Sequence, residues 1–404
     1  MLAQRVEFVP DHDSELFAAA PTASAVFLLR GAEDGSEPYL SKTSNLRRRL
    51  QRLLGASEGQ TRKLSLRDRV RWVEWSPSGS DFEASFVLYQ ALRQEFPKTY
   101  EKRLRLRPAP LIKLILDNPY PRAAVTARIA SLKSNARYFG PFASRAAAET
   151  FANDSLDLFK MRRCTDDLHP DPAFSGCIYS EMKMCLAPCF KGCTGAEYAG
   201  EVERVTRYFE SGGQSLVREI ETLREEASAN LEFENAAALH ARLEKVKAAV
   251  AGLPEIVRPL EELNGVMVQP SAEKDSVTLF KVEAGTICDP VNLAVGRRGE
   301  NLHLQAKPQS MEARITETLA GVQLPKLRSA QEWMEHLAIL KRWYYRTVKV
   351  GELFLNERSG ELPMRRLVRG VSRVFKGEKP VGDLSETAGD YWMFRAREAG
   401  IRDK

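Results

Sequence analysis

Hydrophobic positions change their period several times along this chain. Residues 24–30 (SAVFLLR) and 38–41 (PYLS) are short apolar runs on either side of a Gly-containing turn, GAEDG, and predict two strands. The following TSNLRRRLQRLLG sets Leu46, Leu50, Leu53 and Leu54 on one helical face, with Thr43 or Ser44 as N-cap and Gly55 as the stop. RVRWVEW, 69–75, alternates like a half-buried strand, and 83–96 reads as a helix that Pro97 ends. Together these predict a small α+β unit whose first helix carries arginines.

Further on, the charged run from Glu197 to about Asn230 is strongly helical. Phe233, Ala236, Ala237, His240, Leu243 and Lys247 then recur at three- and four-residue steps, a narrow apolar stripe with alanines small enough for a second helix to approach closely. The two runs predict an antiparallel helical hairpin, packed on itself or docked on a partner. Beyond it, 277–282 (VTLFKV) and 293–296 (LAVG) read as short strands and 330–346 as an amphipathic helix, with Trp343, Tyr344 and Tyr345 as core.

At 404 residues the chain exceeds what one core supports, so two to four domains are expected. Charged residues are 28% and hydrophobic ones 43%, an ordinary globular composition. Net charge is only +6, yet the cations cluster: Lys42, Arg47, Arg48, Arg49 and Arg52; Arg62, Lys63, Arg67, Arg69 and Arg71; Lys98, Lys102, Arg103, Arg105 and Arg107. Such surface suits phosphate as well as solvent. Arg365, Arg366, Arg369, Arg373, Lys376 and Lys379 mark a basic tail, solvated or in contact with phosphate. With no secretory signal and no transmembrane run, a reducing, cytoplasmic setting away from membranes is expected.

In that setting the cysteines matter, because five of six lie between Cys164 and Cys193. Clustered thiols in a reducing compartment are held by metal more often than by disulfides. The spacing C-x12-C-x7-C-x3-C from Cys164 to Cys189 supplies four thiolates, enough for tetrahedral zinc or a four-iron cluster. Cys193 is then spare, and Cys288 is structural.

Ala25-Val26-Phe27, the turn, Tyr39-Leu40-Ser41-Lys42 and Asn45-Leu46-Arg47-Arg48-Arg49 resemble, in that order, the GIY-YIG nuclease module at the front of the UvrC subunit of the bacterial excinuclease. Asn135-Ala136-Arg137-Tyr138-Phe139-Gly140-Pro141-Phe142 resembles the Y-F-G-P-F signature behind that module, and Arg163-Cys164 stands where the family has R-x-C. Cys185-Leu186-Ala187-Pro188-Cys189 is similar to the family's cluster segment. The resemblance implies a four-iron, four-sulfur (4Fe-4S) cluster on Cys164, Cys177, Cys185 and Cys189, with zinc as the alternative. Leu231-Glu232-Phe233-Glu234-Asn235-Ala236-Ala237 resembles the UVR motif that docks onto UvrB, which implies a UvrB-like partner on Phe233, Ala236, Ala237 and Leu243. His240 and Ala241 replace that motif's usual Arg-Asp pair. Leu263-Asn264-Gly265-Val266 through Gly285 is similar to the strand-rich segment that continues the family's N-terminal half.

Departures from the family pattern bear on chemistry. Phe27 stands for the first-motif Tyr, whose phenol helps activate a water, and Leu88 for the metal-binding Glu; Tyr100 and Leu53 replace a further Asn and Tyr. Leucine cannot bind a hard cation, so a divalent ion is expected here only if Asp81 or Glu83 supplies the lost ligand. Tyr39, Lys42 and Arg49 survive as a degenerate catalytic set able to grip phosphate. Arg47, Arg48 and Arg52 are read as DNA contacts beside it. The family's ribonuclease-H-like nuclease and helix-hairpin-helix repeats find no room after Val350.

The expected architecture is α+β and multidomain: a small GIY-YIG-like α/β module at 20–110, a linker and cysteine-cluster segment at 111–195, a helical hairpin with the UVR motif at 196–252, and a small UvrC-like α/β remainder with a basic tail at 253–404. The expected function is a nucleotide-excision-repair protein that binds DNA and UvrB with its nuclease activity lost. A working excision endonuclease with a rebuilt metal site is one alternative. A regulatory or RNA-binding protein on the same scaffold is the other.

Overall fold

The computed structural model describes residues 2–33, 36–56, 66–133, 135–166, 168–296, 309–324 and 329–378. Arg62, Lys63 and Lys379 of the basic clusters lie outside the described residues. The chain is α+β, with helices set against three antiparallel sheets.

In the front module β1 (Gln4–Glu7), β2 (Ala25–Gly31), β3 (Tyr39–Thr43) and β4 (Val70–Pro77) form a sheet of order β1-β4-β2-β3. The two-residue strand period puts Ala25, Phe27, Leu29, Val73 and Trp75 into one core with α1 (Asp13–Ala19) and with Leu46, Leu50 and Leu54 of α2 (Leu46–Leu54). Asn45, rather than Thr43 or Ser44, caps α2 by accepting the Arg48 N–H. The module starts at β1 and not near residue 20, because β1 pairs with the outer edge of β4. On the opposite face lies α3 (Asp81–Glu95), capped by Ser80 and followed by α4 (Tyr100–Leu104).

The segment read as a linker is a domain with its own sheet. β5 (Leu111–Ile115), β6 (Arg122–Thr126) and β7 (Arg137–Gly140) pair with β8 (Arg258–Pro259) in the order β6-β5-β7-β8. LIKLI alternates poorly because helices α5 (Arg145–Leu156) and α7 (Gly195–Ser211) help bury Leu111, Ile112 and Leu114, so the period-2 signal is blurred. Between them the cysteine loop carries the short α6 (Ile178–Glu181) and a 3-10 turn at Pro188–Phe190. The charged helical run breaks at Gly212 (φ 57°) and Gly213 (φ 88°), a left-handed pair that ends α7 and starts α8 (Gln214–Ala229). The hairpin is therefore α8 with α9 (Phe233–Val250), and α7 belongs to the domain before it.

The last sheet is β9 (Gly265–Pro270), β10 (Ser276–Glu283), β11 (Thr286–Ile287), β12 (Val291–Ala294) and β13 (Glu352–Leu355), in the order β11-β10-β9-β13 with β12 also on β10. Helices α10 (Met311–Ala320) and α12 (Met364–Lys376) cover one face. The described part of the basic tail is thus α12, whose Leu367, Val371 and Val374 are buried while Arg365, Arg366 and Arg369 remain exposed. The other face takes α11 (Ala330–Tyr344) together with α3, so Phe82, Phe86 and Tyr89 share a core with Met267, Phe280, Ile339 and Trp343.

Polar bonds seal that junction. Tyr89 Oη donates to Glu335 at 2.9 Å, Tyr100 Oη donates to its other oxygen at 2.9 Å, and Arg93 donates to Tyr89 Oη at 3.0 Å. His336 Nδ1 accepts the Ile287 N–H at 3.0 Å, and burial pushes this imidazole down to about 4. An unfolded histidine takes up its proton near pH 6.5, so between these values the unfolded chain binds more protons. Stability should be full above about pH 6.5 and fall toward pH 4, by about 3 kcal/mol at most. Urea unfolding at pH 7 and pH 5 measures this; the stability gap between wild type and His336→Gln should narrow at the lower pH, and a constant gap would refute the assignment.

Candidate functional site

Tyr39 and Lys42 lie three residues apart in β3 and so leave opposite faces of the sheet. On the α2 side Arg49 Nη2 donates to Tyr39 Oη at 2.9 Å, and the Tyr39 ring sits 5.9 Å from that of fully buried Phe27. On the α3 side Lys42 Nζ meets Asp81 Oδ1 at 2.5 Å and Ser85 Oγ at 2.8 Å, while Arg346 Nη1 holds Asp81 Oδ2 at 2.6 Å. Leu88 lines the same cavity. The residues read as a degenerate catalytic set thus fall on two sides of the sheet, Phe27 with Tyr39 and Arg49 on one, and Lys42 and Leu88 lining a cavity on the other.

Neither candidate replacement carboxylate is free. Burial works to raise the Asp81 carboxyl, but the hydrogen bonds and charges of Lys42 and then Arg346 outweigh it and hold the group below its ordinary value. Glu83 is buried, accepts the Gly79 N–H at 2.7 Å and is pushed up by desolvation. Of the arginines read as DNA contacts, Arg48 and Arg52 are exposed. Arg47 is not available: it donates to the carbonyls of Ala20 at 2.9 Å and Ala18 at 3.0 Å, satisfying the C-terminal end of α1.

Cys164, Cys177, Cys185, Cys189 and Cys193 are all half-buried and unpaired. Burial pushes the Cys185 thiol up to about 11, and the charges of Cys164, Cys189 and Cys177 act in the same direction. Yet among the described residues no three His, Cys, Asp or Glu side chains are drawn together as a single ion would need. The loop holds Lys183, Ala187 and Lys191 at φ 55°, 56° and 59°, a left-handed backbone costing roughly 1–2 kcal/mol at each.

Arg163, the arginine next to Cys164 in sequence, instead pairs with Asp157 at 2.6 Å. The residue at the sulfurs is Arg162, 1% exposed, which donates to Cys164 Sγ at 3.4 Å and to the carbonyls of Tyr120, Cys164 and Asp166. Among the described residues no carboxylate bonds to it. Arg162 is the first member of R-x-C, so the signal was in the motif.

On the hairpin, Phe233 is 67% exposed, Ala237 is exposed and Ala236 half-buried. Leu243, expected on the same docking face, instead turns inward and is fully buried with Val246, Leu216 and Ile220. The two faces of α9 diverge as the helix leaves its tip.

Residues 110–208 match the family model of the UvrC/Cho excinuclease middle domain, and residues 214–249 match the UvrB/uvrC motif. The chain is UvrC-like. The gap between the two matches holds the Gly212-Gly213 break, and the second match coincides with the α8–α9 hairpin. The UvrABC system protein C of Rickettsia canadensis is 28% identical over 222 residues, covering 54% of this chain and 34% of the relative. That of Trichlorobacter lovleyi is 29% identical over 223 residues (54% and 35%), and that of Ruminiclostridium cellulolyticum 26% over 273 residues (66% and 43%). The match therefore spans about a third to two fifths of the length of these relatives. No solved structure matches it. No described helix is long and apolar enough to cross a membrane.

The two faces of α9 predict opposite mutational outcomes. Leu243→Ala should lower stability by about 2–5 kcal/mol, as for other fully buried leucines, whereas Phe233→Asp should change it by less than about 0.5 kcal/mol. Denaturant unfolding compares the two, and an equal loss would place both side chains in one core.

Proposed function

We propose that this UvrC-like chain serves nucleotide excision repair by docking onto UvrB and holding DNA, and that its front module grips phosphate without cutting it. The observation that carries the docking is the exposed Phe233–Ala237 end of α9 inside the UVR match, where an apolar side chain stands clear of the hairpin's own core. Phe233→Asp would bury a charge on docking, which costs several kcal/mol when no partner charge compensates. Pull-down with purified UvrB should therefore be lost in Phe233→Asp while the variant stays folded. Unchanged binding would remove the hairpin from the interface, and absent binding by the wild type would favour the regulatory or RNA-binding reading.

Loss of cutting is supported by Leu88 at the place of a metal carboxylate and by Asp81, whose two oxygens are taken by Lys42 and Arg346. Incubation of damaged duplex with magnesium or manganese, with and without UvrB, should give no incision. Incision abolished by Arg49→Ala would make the rebuilt endonuclease the better reading.

For the thiol centre the reading rests on the spacing of the cysteines and on the contact between Arg162 and Cys164. Cys164, Cys177, Cys185 and Cys189 would hold a 4Fe-4S cluster, and Arg162 supplies a buried positive charge beside them. The residues' own part is to give up thiol protons, present four sulfurs and shield them under the 183–191 loop. Anaerobically purified protein should be brown, and Cys185→Ala should bleach it. Colourless protein with one equivalent of zinc would keep the ligands and replace the cluster.

A further inference from the structure

The cavity on the α3 side of β3 draws cations from four places in the chain. Lys42 of β3, Arg103 of α4, Arg342 of α11 and Arg346 just beyond it line a space of ≈ 80 Å³, with Leu88 on its wall. Asp81 is the one carboxylate on that lining, and Glu37 draws Arg103 from outside. Arg342 is exposed and has no carboxylate partner among the described residues. Positive charge is in surplus there even with Asp81 ionised.

Arg342, in the last turn of α11, and Arg346, two residues past its end, both line the cavity together with Lys42. Asp81 receives one bond on each oxygen, from Lys42 and from Arg346, the pattern in which a phosphate offers two oxygens to two donors. Its side chain is about half exposed, so these ion pairs are weak and exchangeable. A backbone phosphate brings as many acceptors and adds the entropy of released counterions.

We propose that this cleft is a phosphate site for a DNA strand, completed by the C-terminal domain through Arg342 and Arg346, in which Asp81 occupies the anion's place until a phosphodiester displaces it. The assignment rests on the DNA-binding part of the function proposed above and extends it to residues outside the front module. Leucine at 88 favours it, since a carboxylate there would repel the same phosphate.

The test is fluorescence anisotropy of a labelled oligonucleotide with the full chain over a salt series. Arg342→Gln, a substitution at an exposed side chain, should weaken binding several-fold and lower the salt slope by about 0.9, the value of one phosphate contact. Asp81→Asn removes the competing anion and should tighten binding several-fold. A tie that only joins the domains predicts the reverse, because its loss would disorder the cleft. Asp81→Asn that binds more weakly than, or the same as, the wild type overturns the proposal, as does an unchanged slope in Arg342→Gln. Either result in a wild type that binds DNA leaves the repair function standing; a wild type with no DNA affinity overturns both. Inorganic phosphate that competes as strongly, per mole of phosphate, as an unlabelled oligonucleotide at constant ionic strength would assign the cleft to free phosphate and overturn it too.

Discussion

The buried carboxylate of Glu335 is the constraint on which the arrangement of domains depends. A carboxylate withdrawn from water is tolerated only when its oxygens are bonded, and here Tyr89, Tyr100 and Gln331 donate to it. Two of these donors come from the front module and one from α11 itself. The junction thereby sets α3 against α11 in one register, and the aromatic core of Phe82, Phe86, Phe280 and Trp343 fills in around it. Every property of the α3 cleft follows from that register. Slide α11 by one turn and Arg346 no longer meets Asp81.

A second region is governed by charge without a carboxylate. Arg162 is buried against backbone carbonyls and one sulfur, so its donors are met by dipoles and, among the described residues, by no carboxylate. The left-handed residues of the 183–191 loop add local strain, which the fold tolerates because Leu186 bonds to Lys160 and Pro188 is buried in the domain. Buried cation and left-handed loop are the two features that set this segment apart from the rest of the middle domain.

Much of the fold was legible because its signals are local. The leucine stripe of α2, the alternation of β4, the Pro97 stop and the VTLFKV strand all appear where period and punctuation put them. The middle sheet was hidden because its strands are four and five residues long and packed by helices. Gly212-Gly213 could have been read as a break, and was outweighed by the helix formers around it.

By itself the sequence determined the spacing of the four cysteines, the Arg-x-Cys pair, the UVR stripe and the presence of Phe at 27 and Leu at 88, since each is a matter of which residue stands where. Only the tertiary structure decided that β3 parts Tyr39 from Lys42, that Arg47 is consumed by the carbonyls of α1, that Leu243 turns inward, and that Arg342 and Arg346 reach the front module. Asp81 and Arg346 are 265 residues apart, and no local period encodes a meeting over that distance. Such contacts come from how buried faces pair once whole domains pack, so charge and burial at a site are properties of the assembled core.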